Sequence, residues 1–138
     1  MIDPKEAIVL VVEDNADNMF ITIELLYRKV GVRYADGVAT GVGLLRWVSE
    51  KPDSIPHLIL LDIQIPGEDG HKVLRRVRDH PKLTATRVAA LTSNVMPTDV
   101  DKAHLSGFDG FIGKPLEFTR FPDQIRRLLN GEAVWEPS

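Results

Sequence analysis

Residues 60–70, LLDIQIPGEDG, carry an apolar run straight into Asp62 and then into a loop holding one proline and two glycines. The run completes HLILL (57–61), which is continuous rather than alternating in hydrophobicity. That is the pattern of a strand in a parallel sheet covered on both faces. AIVLVV (7–12) and RVAAL (87–91) read the same way, and VRYA (32–35) and GFIG (110–113) are weaker strand candidates. Between the strands the apolar residues fall at helical spacing. Met19, Ile23, Leu26 and Val30 make one stripe, widened by Phe20 and Tyr27, and Gly31 stands where that helix should end. A second helix over VATGVGLLRWVSE has Val42, Leu45 and Val48 as its face, but Gly41 and Gly43 each cost about 1 kcal/mol against alanine in a helix interior. A third turns Val73, Leu74 and Val77 inward, with Pro81 past its end. The fourth, TDVDKAHLSG, is short and polar, with little beyond Val100, Ala103 and Leu105 to bury. The fifth buries Phe121, Ile125, Leu128 and Leu129, and tolerates Pro122 in its first turn. Strand–helix alternation five times over predicts an α/β doubly wound parallel sheet with right-handed crossovers. One domain is expected over 1–138, with its core at about 7–130 and a frayed tail at 131–138, where Trp135 alone could dock. Trp47 and Tyr34 read as packing residues.

Composition narrows the function classes. The chain has 138 residues, 43% hydrophobic and 27% charged, with formal net charge −3, so it has the balance of a globular protein and not of a phosphate-backbone binder. Its basic clusters, Arg75–Arg76–Arg78 and Arg126–Arg127, read as solvated helix faces. There is no cysteine, which excludes disulfides, thiolate metal sites and thiol catalysis. His57, His71, His80 and His104 include no H-x3-H pair, against a histidine-built zinc site. No segment approaches the roughly 20 apolar residues of a membrane helix, and the N-terminal run is too short for a signal peptide. A cytoplasmic location follows as an expectation, with no direct nucleic-acid or membrane partner.

In doubly wound sheets ligands bind outside the carboxyl ends of the strands. The first strand runs into Glu13-Asp14-Asn15, the third into Asp62, the fourth into Thr92-Ser93-Asn94 and the fifth into Gly113-Lys114-Pro115. Three carboxylates, a hydroxyl and an ammonium should therefore meet at one edge. An oxygen-rich set without thiol or imidazole suits a hard divalent ion, Mg²⁺ above all, with Mn²⁺ as a substitute. A carboxylate beside such an ion can act as a nucleophile toward phosphorus and form an aspartyl phosphate. Lys114 and Thr92 are placed to neutralise and hydrogen-bond phosphoryl oxygens.

VLVVEDN, LILLDIQIPGEDG, ALTSN and GFIGKPL, in this order and spacing, resemble the receiver domain of two-component response regulators over about residues 7 to 130. The resemblance implies a flavodoxin-like fold with strand order 2-1-3-4-5 and five helices. It implies Asp62 as phospho-acceptor, Glu13 and Asp14 as the acidic pair at Mg²⁺, and a metal contact from the backbone carbonyl of Gln64. It implies Thr92 and Phe111 as switch residues, Lys114 as the family's lysine, a cis Lys114–Pro115 bond, and Gln64 and Asn94 as tuners of phosphoryl hydrolysis. The implied partners are a histidine kinase or histidine phosphotransfer protein and a downstream protein target. A phosphorylation-dependent homodimer is left open. Signalling would run through the surface of the fourth helix, fifth strand and fifth helix, and catalysis would be limited to self-phosphorylation and autodephosphorylation. A stand-alone single-domain regulator is expected, since no output segment follows residue 130.

Three rivals are weighed against that reading. A flavin-binding module needs phosphate-greeting donors after the first strand, where EDNADN would repel an anion. An aspartyl phosphatase of the haloacid dehalogenase type needs a second aspartate where Gln64 stands. A receiver-shaped scaffold working without phosphorylation is the serious alternative, although neither an acid nor the lysine has been lost.

Overall fold

The computed structural model describes residues 2–93 and 95–137. Its sheet is built around β1 (Ile8–Val12) and β3 (Leu58–Asp62), flanked by β2 (Tyr34–Val38) and β4 (Arg87–Thr92), with β5 (Gly110–Gly113) and β6 (Val134–Glu136) beyond β4. All neighbours run parallel, in the order β2-β1-β3-β4-β5-β6. The helices are α1 (Ala16–Leu25, continued by a π turn over Leu26–Val30), α2 (Gly41–Glu50), α3 (Gly70–Asp79), α4 (Pro97–Ser106) and α5 (Phe121–Leu129).

Alternation along the strands feeds two cores, because successive side chains point to opposite faces. Val9, Val11, Leu58, Leu60 and Ile112 pack under α1 and α5, with Leu26, Phe121 and Ile125. Leu10, Val12, Ile59, Leu61 and Phe111 pack under α2, α3 and α4, with Leu44, Trp47, Leu74 and Ala103. Burial on both sides is what the continuous apolar strands require. It leaves the polar residues to collect where the strands end.

Several expectations are corrected. The sheet has six strands, because the supposed frayed tail forms β6 and buries Val134 completely. The second strand begins two residues later than VRYA and runs through Asp36 and Gly37. Those residues are poor strand formers, but the Asp36 carboxylate is satisfied by Trp47 Nε1 at 2.8 Å. Thr40 caps α2 by accepting from the Gly43 amide at 2.9 Å, so Gly41 and Gly43 lie in the first turn rather than the interior. The buried face of α2 is Leu44, Trp47 and Val48, with Val42 outside. Phe20 is exposed, and Tyr27 lies at the surface with its hydroxyl hydrogen-bonded to the backbone of Ala35. Leu105, expected inside, is 90% exposed, which leaves α4 with Ala103 as its one fully buried residue. Among the described residues no helix is long and apolar enough to cross a membrane.

Candidate functional site

The strand ends deliver the polar residues together. β1 stops at Val12, but the Glu13 amide still donates to Val38 O at 3.0 Å, which draws Glu13 inward beside β2. Asn15 then caps α1 by accepting from the Asn18 amide, leaving Asp14 exposed on the rim. Asp62 is the last residue of β3 and lies level with Leu91 of β4. Lys114 follows β5, its amide donating to Thr92 O at 2.8 Å, and the Lys114–Pro115 bond is cis.

Lys114 Nζ is 2.9 Å from Asp62 Oδ2 and 3.0 and 3.1 Å from the two Glu13 oxygens. Asp62 Oδ1 accepts from the Gln64 amide at 2.8 Å, so both oxygens of this carboxylate are held. Glu13, Asp14 and Asp62 each offer an oxygen within 4.8 Å of the others. The group lies at the floor of an open cleft of about 730 Å³, walled also by Ile21, Thr22, Ser93 and Leu116.

Crowding sets the protonation states. Burial and the neighbouring Asp62 push Glu13 up to about 7, against the opposing pull of Lys114. Burial also works to raise Asp62, but hydrogen bonding with Glu13, the Gln64 amide and Lys114 prevails and holds it below the usual carboxylate range. Lys114 is partly buried, which works to lower it, yet its two carboxylate partners raise it, so it stays an ammonium. Three carboxylates against one ammonium leave an excess of negative charge on oxygen ligands. That donor set fits a small hard divalent cation.

Thr92 is fully buried and its Oγ donates to Gln64 Oε1 at 2.7 Å. The same Gln64 oxygen accepts from the Ser93 amide at 2.8 Å and the Ser93 hydroxyl at 2.9 Å. This side-chain clamp between the β3 and β4 loops goes beyond the sequence expectation for Gln64, a backbone-carbonyl metal contact and hydrolysis tuning. The only trace in the sequence was an amide two residues after Asp62 and two hydroxyls at the end of β4. Phe111 is fully buried and does not line the cleft. Asn94 lies outside the described residues.

A family model described as the response regulator receiver domain matches residues 9–126. The chain belongs to that family. Among relatives of this receiver domain, the hybrid signal transduction histidine kinase L of Dictyostelium discoideum is 33% identical over 130 residues, covering 91% of this chain and 8% of the kinase. The chain thus spans a small fraction of that protein. The polar-differentiation response regulator DivK of Brucella ovis is 30% identical over 125 residues, 88% of this chain and 94% of DivK. The crystal structure of a response regulator receiver protein from Burkholderia phymatum superposes with a TM-score of 0.76 at 27% identity, covering 93% of this chain and 98% of that one.

Proposed function

We propose that this receiver domain accepts a phosphoryl group on Asp62 from a phosphohistidine of a kinase or phosphotransfer protein, in a cytoplasmic signalling chain. The observation that carries the reading is the Asp62 carboxylate held between Lys114 and the Gln64 amide at the floor of an open, acid-lined cleft. An Asp62 oxygen attacks phosphorus. The P–O bond forms as the P–N bond breaks, and its electron pair leaves on the imidazole nitrogen. Lys114 follows the charge onto the phosphoryl oxygens, and Thr92 exchanges Gln64 for one of them. Asp14 and Asp62, with Glu13 through water and the Gln64 carbonyl, would hold Mg²⁺, which when bound supplies charge neutralisation for the phosphoryl group. Release of Thr92 from the Gln64 clamp then loosens the packing of β4 against β5 and the weakly buried α4, where a downstream protein would read the change.

Intact-mass spectrometry after incubation with Mg²⁺ and acetyl phosphate tests this. One phosphoryl adduct is expected on the native protein and none on Asp62→Asn or in the presence of chelator. An adduct retained by the variant would refute the assignment of Asp62. No adduct at all, even with candidate kinases, would favour the scaffold reading.

Metal affinity should depend on pH with a defined sign. A carboxyl raised to about 7 holds its proton below that pH and must lose it to bind a cation. Mg²⁺ affinity measured by thermal shift is therefore expected to be about tenfold weaker at pH 6 than at pH 8, following the deprotonated fraction of Glu13. Equal affinities at the two pH values would remove Glu13 from the metal's surroundings.

A further inference from the structure

The loop that follows Asp62 is tied to the rest of the molecule at few points. Ile63 starts it. Its amide donates to Leu91 O at 3.3 Å, and it sits so tightly on α3 that a Cβ at Gly70 would meet the Ile63 Cα at 2.7 Å. Ile65 is buried in the core that also holds Leu61 and Val73. The chain then turns back over Pro66 and Gly67, with Gly67 at φ 78° and the Glu68 amide donating to Ile65 O at 3.1 Å. Among the described residues, two side chains join this loop to other loops. Gln64 reaches the end of β4, where Thr92 and Ser93 donate to its Oε1. Glu68 reaches the first residue of α2, where both carboxylate oxygens accept from the Gly41 amide at 2.8 Å.

The N-terminus of a helix favours a carboxylate, but α2 already has a cap of its own in Thr40, which accepts from the Gly43 amide at 2.9 Å. What sets Glu68 apart is that it arrives from a different loop. The fit is close: a Cβ at the buried Gly41 would meet Val73 Cγ2 of α3 at 2.6 Å and Glu68 Oε2 at 3.2 Å. Only glycine lets helix and carboxylate meet there.

The two ties differ in what phosphorylation does to them. In the function proposed above, on which this inference rests, Thr92 exchanges Gln64 for a phosphoryl oxygen, so the tie to β4 is given up when Asp62 is modified. Glu68 does not line the acidic cleft, and its bonds to Gly41 involve none of the reacting groups. That tie stays. We propose that Glu68 is a positioning residue for the phosphorylated state. It holds the loop over 63–68 in place after the Gln64 side chain has released Thr92. With the loop it keeps the Gln64 carbonyl, and the Gln64 amide that orients Asp62 Oδ1 at 2.8 Å, where the chemistry needs them. In the unmodified protein the two ties back each other up. In the phosphorylated one Glu68 holds the loop alone.

Amide hydrogen exchange on the full chain tests this without phosphorylation, because Gln64→Ala cuts the tie to β4 and leaves the backbone carbonyl in place. Glu68→Ala alone is expected to speed exchange of the residue 64 amide by less than about threefold. Added to Gln64→Ala, the same change should speed it about tenfold or more beyond Gln64→Ala itself. Equal effects in the two backgrounds would make the ties independent and overturn the proposal. Glu68→Gln keeps an oxygen for the Gly41 amide and should restore the slower exchange in the Gln64→Ala background. Thr40→Ala loosens the start of α2 without touching Glu68, and should leave exchange at residue 64 unchanged. If it reproduces the effect of Glu68→Ala, Glu68 is a helix cap and not a positioning residue. The amides of β1 should stay protected throughout; their loss along with the loop's would show general destabilisation and count against the proposal. Mg²⁺ affinity, read by thermal shift, should weaken by about tenfold on Glu68→Ala in the Gln64→Ala background and by less than about threefold in the native one. The exchange rates decide the role of Glu68 whether or not the cleft takes a phosphoryl group. A native protein that forms no adduct on Asp62 therefore fails the functional reading, and absence of coupling between positions 64 and 68 fails this one.

Discussion

Lys114→Ala is expected to slow phosphorylation from acetyl phosphate by about 10²-fold or more, the usual effect of removing one preorganised donor from developing negative charge. Lys114 is the described cation within hydrogen-bonding reach of both Glu13 and Asp62, at 2.9–3.1 Å. Without it the incoming phosphoryl oxygens meet carboxylates with no ammonium to receive them. A second signature separates this from a folding defect. Lys114 lowers both Glu13 and Asp62, so its loss moves both carboxyl groups upward. An acid raised on folding binds more protons folded than unfolded, so its contribution to stability is lost as pH rises from its unfolded value to its folded one. For Glu13 in the native protein that window runs from 4.5 to about 7. In the variant it extends higher. Urea midpoints compared at pH 6 and pH 8 should therefore drop further for Lys114→Ala than for the native protein. A variant with native phosphorylation kinetics, or one whose stability loss does not grow with pH, would remove Lys114 from the role proposed.

Much of the site was legible because it is made of strand ends. A buried parallel strand announces itself by an unbroken apolar run, and whatever polar residue ends the run must lie at the sheet's edge. Asp62, Glu13, Thr92 and Lys114 follow from that rule; the structure brings Asp62, Glu13 and Lys114 to one cleft, with Thr92 fully buried and bonded to Gln64 of its wall. Asn94, reached by the same rule, lies outside the described residues. The Gln64 clamp was not legible, since a glutamine two residues beyond a strand carries no periodic signal and its side chain reaches a different loop. Nor was β6. Val134-Trp135-Glu136 is too short for periodicity to register, and its stability comes from Arg120, Gln124, Arg127 and His104, none of them adjacent to it in sequence. The exposure of Leu105 was illegible for a related reason. Helical spacing says which residues share a face, but not whether a neighbour covers it.

Phe111→Ala is expected to cost about 3–5 kcal/mol, the range for deleting a buried aromatic ring. At this chain length that corresponds to a fall in Tm of roughly 10–15 °C. The ring is fully buried in the middle of β5, paired with Ala90 on one side and Trp135 on the other, within the core that holds Ala103 of α4. Smaller groups around it, Ala90 and Ala103, cannot expand to fill the space. Because the ring does not line the cleft, the variant should still take one phosphoryl group on Asp62 when assayed well below its Tm. Loss of the adduct from a folded Phe111→Ala protein would show that the ring supports the chemistry as well as the packing. Phe111→Tyr asks a sharper question at the same position. With the ring in its present orientation, the added hydroxyl enters an apolar core and should cost about 1–3 kcal/mol if it finds no partner. A tyrosine variant as stable as the native protein would mean that the ring can turn outward toward α4 and β6 even without phosphorylation. The phenylalanine would then be what biases the resting domain inward, since an apolar ring gains nothing from reaching water.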